Sequence, residues 1–70
     1  MIAASLSPAE RAIRHSAIPA LRKLDVEETE AEVVLSGTVT TYYLKQLAQE
    51  AILPLLGPRG LVNRVQVHRE

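Results

Sequence analysis

Residues 35–51, LSGTVTTYYLKQLAQEA, change hydrophobic period in mid-stretch, and this change constrains the fold more than any other feature of the chain. Up to Val39 the apolar residues alternate, which is typical of a strand with one buried face. Beyond it they recur every three or four positions, which predicts an amphipathic helix capped by Thr40 or Thr41. Gly37 lies where the strand must stop, and a glycine there allows a close approach that a side chain would obstruct.

This helix is expected to cover one face of a sheet. Its inward residues share helical spacing and are Leu44, Leu47, Ala48, Ala51, Ile52 and Leu55. Pro54 lacks an N–H group and should kink or fray the last turn, and Gly57 should end the helix. Counting about 100° per residue places Tyr43 at the border of the buried face and Tyr42 on the outer side.

A second helix is predicted near the start of the chain. Ser7 is a suitable N-cap, Pro8 occupies the first helical position, and Glu10 stands where a capping box requires it. The apolar positions on one face are Ala9, Ala12, Ile13 and Ala17. Pro19 disfavours helical backbone at the residue before it, so this helix should end or kink there, with one more turn in residues 19–24.

Alternating segments predict three strands. The first two form a hairpin in which Leu24 and Val26 face inward, with a turn near Glu30 and Ala31. The inward residues of the second strand are Val33, Leu35, Gly37 and Val39, and those of the third are Leu61, Val65 and Val67. Because a long helical segment joins strands two and three, we expect them to run parallel through a right-handed crossover.

The order of these elements predicts an α+β fold, a two-layer α-β-β-α-β sandwich with a three-stranded mixed sheet and both helices on one face. The domain is expected to span residues 8–68, after an N-terminal tail of residues 1–7. The uncovered sheet face would carry Asp25, Glu27, Val34, Ser36, Thr38, Val62, Arg64 and Gln66. This face is polar enough to stay in contact with water.

Composition limits the classes of function. Eight basic residues balance eight acidic ones among 70, so no overall field attracts nucleic acid or an anionic membrane. The absence of cysteine excludes disulfides and thiolate metal sites, and a domain of this size has a marginal core that self-association could support. Without a signal peptide or a membrane-spanning run, the chain as written is expected in the cytoplasm, or in the cell envelope if a signal was removed.

Two segments resemble the BON domain, a small bacterial domain named after osmotic-shock and nodulation proteins. Residues 35–39, LSGTV, are similar to the family's strand V-x-L-x-G-x-V. The family's last strand, V-x-N-x-L-x-V, is matched by Leu61, Asn63, Val65 and Val67. The resemblance covers about residues 9–67. It implies an α-β-β-α-β sandwich that binds phospholipid surfaces or other proteins, without a cofactor and without catalysis.

No residue pattern indicates catalysis or metal binding, so we expect a protein that is not an enzyme and holds no metal or cofactor. His15 and His68 are far apart in the sequence and belong to no cluster with ligand spacing. Solvated histidines are therefore the better interpretation. The serines lack a nucleophile-elbow context such as G-x-S-x-G.

Residues 57–60, GPRG, have the G-x-x-G spacing with which KH domains hold a nucleic-acid backbone. In KH domains the loop joins two helices, whereas here it joins a helix to a strand, and few bases surround it. A helix stop formed by Gly57 and Pro58 is the preferred interpretation. KH-like nucleic-acid binding through this loop is the third functional hypothesis.

The outer side of the helix that follows Thr41 is the predicted binding surface. Its residues are Tyr42, Lys45, Gln46, Gln49 and Leu53. Tyrosine suits interfaces because it combines apolar area with a polar tip. The first functional hypothesis is therefore a non-catalytic module that docks on phospholipid surfaces or on a partner protein through this helix.

The alternative hypothesis is a self-assembling homo-oligomeric scaffold. The first strand is acidic and the third is basic, so opposite sheet edges of neighbouring copies could attract each other. The residues of these oligomer edges are Asp25, Glu27, Glu28, Arg64 and Arg69. The acidic residues would equally serve as solvated guards that prevent an edge strand from pairing.

Overall fold

A computed structural model describes residues 7–69. Its elements, in chain order, are helix α1 (Pro8–Arg14), strands β1 (Asp25–Glu28), β2 (Glu32–Ser36) and β3 (Thr38–Val39), helix α2 (Tyr42–Ile52), and strands β4 (Gly60–Asn63) and β5 (Gln66–Val67). Two short 3-10 turns, Leu21–Lys23 and Leu53–Leu55, precede β1 and follow α2. Residues 1–6 of the predicted tail lie outside the described residues.

The sheet is organised around β2. It pairs antiparallel with β1 and parallel with β4, in the order β1-β2-β4, while β3 pairs parallel with β5. The predicted second strand is thus interrupted at Gly37, and the predicted third strand at residues 64–65. The α+β sandwich with a three-stranded mixed sheet packed against two helices is confirmed.

The core between the helices and the sheet is entirely apolar. Its buried residues are Ala9, Ile13, Leu21, Leu24, Val33, Leu35, Val39, Ala48, Ile52 and Val65. Leu44 and Leu47 are half-buried and pack against this cluster. Among the described residues no polar side chain is buried and no pocket is present.

Helix α1 begins as predicted and ends earlier. The Ser7 Oγ accepts a hydrogen bond from the Glu10 N–H at 3.1 Å, but the helix ends at Arg14. The Ser16 Oγ accepts the N–H of Ile18 at 3.1 Å, and such local bonds compete with helical geometry. The prediction that Ala17 belongs to the buried face is therefore wrong, since this residue is exposed.

The Arg14 side chain fastens α1 to the start of β1. Its Nη1 donates to the backbone oxygen of Arg22 at 3.1 Å and also to that of Leu24. These carbonyls lie at the end of a 3-10 turn, where they have no partner within the turn and where a cation is favoured. The arginine thus satisfies acceptors that would otherwise depend on water.

The turn between β1 and β2 is held by Thr29. Its N–H donates to the Glu32 oxygen at 2.8 Å, and its Oγ1 accepts the N–H groups of Ala31 and Glu32 at 3.2 and 3.0 Å. No residue other than glycine has positive φ in the described part of the chain, which excludes the type I′ and II′ turns for the connection of residues 29–31. The hydroxyl of Thr29 therefore stabilises a turn that contains no glycine.

Gly37 permits a close approach between two segments of the chain. Its φ is 123°, a conformation that residues with a side chain rarely adopt. A Cβ on this residue would lie 2.8 Å from the Cδ2 of Leu24, which is fully buried. The predicted close contact at Gly37 is thus made by the residue that leads into β1.

Replacing Gly37 with alanine should therefore destabilise the domain by about 2–4 kcal/mol, because the substitution combines backbone strain with overpacking. This is a large part of the roughly 3–5 kcal/mol that a single core of this size supplies. Urea unfolding followed by circular dichroism measures the change.

Gly60→Ala is the matched control. Gly60 has ordinary φ, and a Cβ there would meet nothing within 4 Å. At low protein concentration its stability should stay within about 1 kcal/mol of the wild type. Equal stabilities of Gly37→Ala and Gly60→Ala would contradict the role assigned to Gly37.

Candidate functional site

Helix α2 presents its outer side to solvent because both its start and its inner face are fixed. The Thr41 Oγ1 accepts the N–H of Leu44 at 3.1 Å, so Thr41 is the N-cap and Tyr42 is the first helical residue. Ala48 and Ile52 are the fully buried residues of the helix. The opposite side is therefore exposed.

The predicted binding residues form a line on that exposed side. We call this set the α2 stripe, and it comprises Tyr42, Lys45, Gln46, Gln49 and Leu53. Tyr42 is 62% exposed and Leu53 is 46% exposed, and they lie about 16 Å apart along the helix. Gln46 and Gln49 are exposed and Lys45 is half-buried. The stripe is thus narrow, with an apolar residue at each end.

Tyr43 does not lie where the helical spacing places it. The residue is 67% exposed, so the prediction that it borders the buried face is wrong. Leu47, one turn further along the same side, is only half-buried. The face of α2 that packs against the core is therefore narrower than the spacing of its apolar residues suggests. Tyr43 lies outside this face.

Asn63 joins α2 to the edge of the sheet. Its Nδ2 donates to the backbone oxygen of Lys45 and to the Gln49 Oε1, both at 3.3 Å, and its Oδ1 accepts the N–H of Val65 at 3.1 Å. These bonds position the stripe relative to β4. They also satisfy the backbone where β4 ends. In the sequence Asn63 stands out only as part of the family pattern, which gives no indication of this contact.

The GPRG loop is a helix terminus whose arginine is engaged within the chain. The Arg59 Nε and Nη2 donate to the backbone oxygens of Leu56 and Leu55, both at 3.1 Å, and its Nη1 contacts the Glu28 Oε1 at 2.6 Å. Gly57 has a φ of 61°, as expected after a helix. The arginine thus satisfies carbonyl groups at the end of the 3-10 turn that follows α2. This geometry offers no support for KH-like contacts to nucleic acid.

Glu28 is part of the same cluster and is half-buried. The Ser7 hydroxyl and the Arg59 guanidinium favour the charged carboxylate and hold the pKa of Glu28 below its ordinary value. Its contact with Arg59 is the one ion pair found in residues 7–69. Glu28 was predicted to belong to an oligomer edge, but its carboxylate is already occupied within the chain.

The other residues of the predicted oligomer edges are exposed. Asp25 and Glu27 lie on β1, while Arg64 and Arg69 follow β4 and β5. Strands β1 and β4 form opposite edges of the three-stranded sheet. This arrangement fulfils the geometric condition for contacts between edges of different copies, and the contacts themselves stay a prediction.

The described residues contain no group of three or more His, Asp or Glu side chains that could hold a metal ion. His15 and His68 are both exposed, as the sequence indicated for solvated histidines. None of the helices formed by residues 7–69 is long and apolar enough to cross a membrane.

Comparison with known proteins gives one match. The family model described as BON domain matches residues 5–69, which is nearly the whole chain. No curated protein and no solved structure matches the sequence significantly. The matched range includes every helix and strand described above.

Replacing Glu28 with glutamine should flatten the dependence of stability on pH in the acid range. Because the pKa of Glu28 is lowered on folding from 4.5, its charged form stabilises the fold above that pH. This stabilisation is lost as the pH falls through the lower pKa of the folded state. At neutral pH the substitution should cost about 1 kcal/mol, since the contact is partly solvated.

Urea midpoints measured at a series of pH values between about 3 and 7 test this expectation. Glu27→Gln is the control, because Glu27 is the exposed neighbour of Glu28 on the same strand and has no ion pair within the described residues. In Glu27→Gln the urea midpoint should depend on pH as steeply as in the wild type. If the urea midpoint of Glu28→Gln depends on pH just as steeply, the Glu28 carboxylate does not stabilise the fold as described.

Proposed function

Because the chain belongs to the BON domain family, whose members are non-catalytic binding modules, we propose that it docks on phospholipid surfaces through the α2 stripe. The observation that carries this proposal is the exposure of two large apolar side chains, Tyr42 at the start of α2 and Leu53 directly after its end. The exposed large apolar side chains of residues 7–69 are Tyr42, Tyr43 and Leu53, and two of these three belong to the stripe.

The stripe combines the groups that suit a membrane interface. A tyrosine ring lies well at the level of the lipid headgroups because its body is apolar and its hydroxyl is polar. Leu53 adds a purely apolar group at the other end of the stripe. Between them, the amides of Gln46 and Gln49 can donate to phosphate oxygens, and the Lys45 ammonium attracts anionic headgroups.

The expected affinity of one domain is low. Burying the exposed parts of Tyr42 and Leu53 contributes about 1 kcal/mol each, and one lysine near an anionic surface contributes about 1 kcal/mol more. A total of about 3 kcal/mol corresponds to weak binding in the millimolar range. Stable attachment would therefore need several domains that bind together.

The double substitution Tyr42→Ser with Leu53→Ser should reduce vesicle binding about tenfold or more, because it removes the two apolar contacts. Co-sedimentation with vesicles that contain phosphatidylglycerol, in low salt, measures the bound fraction. Low salt is chosen because attraction to anionic headgroups is strongest there.

Tyr43→Ser is the matched control for this experiment. It removes the same kind of side chain with nearly the same exposure, but about 100° further round the helix. It should leave most of the binding intact. Absence of wild-type binding to anionic vesicles in low salt would contradict lipid docking and direct attention to a protein partner. Equal losses in the control and the double variant would contradict the assignment to the stripe.

A further inference from the structure

The two edge strands of the sheet differ in how they are protected. Strand β1 exposes Asp25 and Glu27, and charged residues on an edge discourage pairing with other chains. Strand β4, residues 60–63, contains no charged residue and no proline. Among residues 7–69, no strand pairs with its outer edge. The β4 edge is therefore open to pairing and the β1 edge is guarded.

The backbone groups that β4 offers follow from its bonds to β2. The Gly60 N–H donates to the Ala31 oxygen at 3.0 Å, and the Arg64 N–H donates to the Leu35 oxygen at 2.8 Å. Successive residues of a strand direct their N–H and C=O groups to opposite sides. Leu61 and Asn63 therefore direct theirs away from β2, toward the open edge.

We propose that a second copy of this chain occupies this edge, with β4 pairing antiparallel to β4 around a twofold axis at Val62. In this register the backbone of Leu61 forms a hydrogen-bonded pair with that of Asn63 of the second copy. The twofold axis generates the equivalent pair between Asn63 and Leu61 of the second copy. Val62 meets its counterpart in a non-hydrogen-bonded pair, where Cα atoms are about 4.5 Å apart. Both copies thus satisfy their free backbone groups.

The uncovered face of the sheet supports this register through its apolar residues. Val62 is the register partner of Val34 on β2, and both are half-buried on the face that carries no helix. Pairing around Val62 joins these valines into one row across the dimer. The row removes apolar surface from water without exposing any new apolar group.

Charge complementarity supports it further. Arg64 lies opposite Gly60 of the second copy, where the absence of a side chain leaves space, since a Cβ there would meet nothing within 4 Å. The register partner of Gly60 on β2 is Glu32, on the same face. Two strand spacings are about 10 Å, which the side chains of arginine and glutamate span together. Arg64 can thus reach Glu32 of the second copy.

Within one copy Arg64 and Glu32 do not meet. Glu32 is opposite Gly60, and neither Glu32 nor Arg64 forms an ion pair in residues 7–69. A head-to-tail contact of β4 with β1 in the register of greatest overlap would pair Arg64 with Asp25, but it would place Val62 against Glu27 and form no row of valines. Pairing β1 with β1 would bring like charges together.

The dimer would have one six-stranded sheet with the helices of both copies on the same face and the guarded β1 strands at its two ends. Two α2 stripes would then lie on one side of the assembly. A single membrane surface could engage both, which multiplies a weak contact. The pairing itself does not depend on lipid binding.

Sedimentation equilibrium of the full chain in low salt, over a series of concentrations, tests the pairing. We expect a monomer–dimer equilibrium without larger species. Val62→Lys should abolish the dimer, because it places two lysines against each other at the axis. Glu27→Lys, which introduces the same side chain at the opposite edge, should leave the dimer unchanged. Circular dichroism verifies that each variant is folded.

A charge exchange tests the register. Arg64→Glu and Glu32→Arg should each weaken the dimer about tenfold, because each places like charges across the interface twice. The double variant with both substitutions should recover most of the dimer. Hydrogen exchange should show protection of the Leu61 and Asn63 amides that increases with concentration, and no such increase at Val26 and Glu28.

Three results would overturn the proposal. A monomer at every concentration in low salt would show that the edge does not pair. Loss of association in Glu27→Lys, or growth into larger species, would indicate head-to-tail contacts through β1. A double variant that does not recover the dimer would contradict the contact between Arg64 and Glu32. None of these results bears on whether the α2 stripe binds lipid.

Discussion

The close contact between Gly37 and Leu24 is the constraint on which the rest of the architecture depends. At φ 123° the central strand bends, so β2 ends and β3 carries the chain toward the cap of α2. The space left by the missing side chain is filled by Leu24, which directly precedes β1 and lies in the core. One glycine therefore permits both the bend after β2 and the close packing of Leu24 beneath it.

Periodicity and caps predicted the elements because they are local properties of the sequence. Ser7 and Thr41 cap helices where expected, and alternating residues identify the inward side of each strand. Ala17 was misplaced because the Ser16 hydroxyl ends α1 through a bond to the next turn. Tyr43 was misplaced because the width of the covered arc depends on tertiary packing, which spacing does not contain.

The contacts made by long polar side chains were not predictable from the sequence. Asn63 reaches α2, and Arg59 reaches both the end of the α2 segment and Glu28. Such contacts join residues that are distant in the chain. The sequence of a strand does not show whether a charged residue faces water or an ion-pair partner. The exposed side of α2 was predictable because helical spacing determines it. The identity of a ligand for that side does not follow from the spacing.

The charged residues of the domain divide into two sets with different roles. Arg14, Arg59 and Glu28 are half-buried and satisfy backbone or side-chain groups, so they stabilise a small core that no disulfide supports. Asp25, Glu27 and Arg64 are exposed on the sheet and contribute little to folding. In the dimer proposed above, the second set determines which edge accepts a neighbour, because acidic residues protect β1 while β4 contains no charged residue. A domain of zero net charge can in this way be selective in association without any overall field.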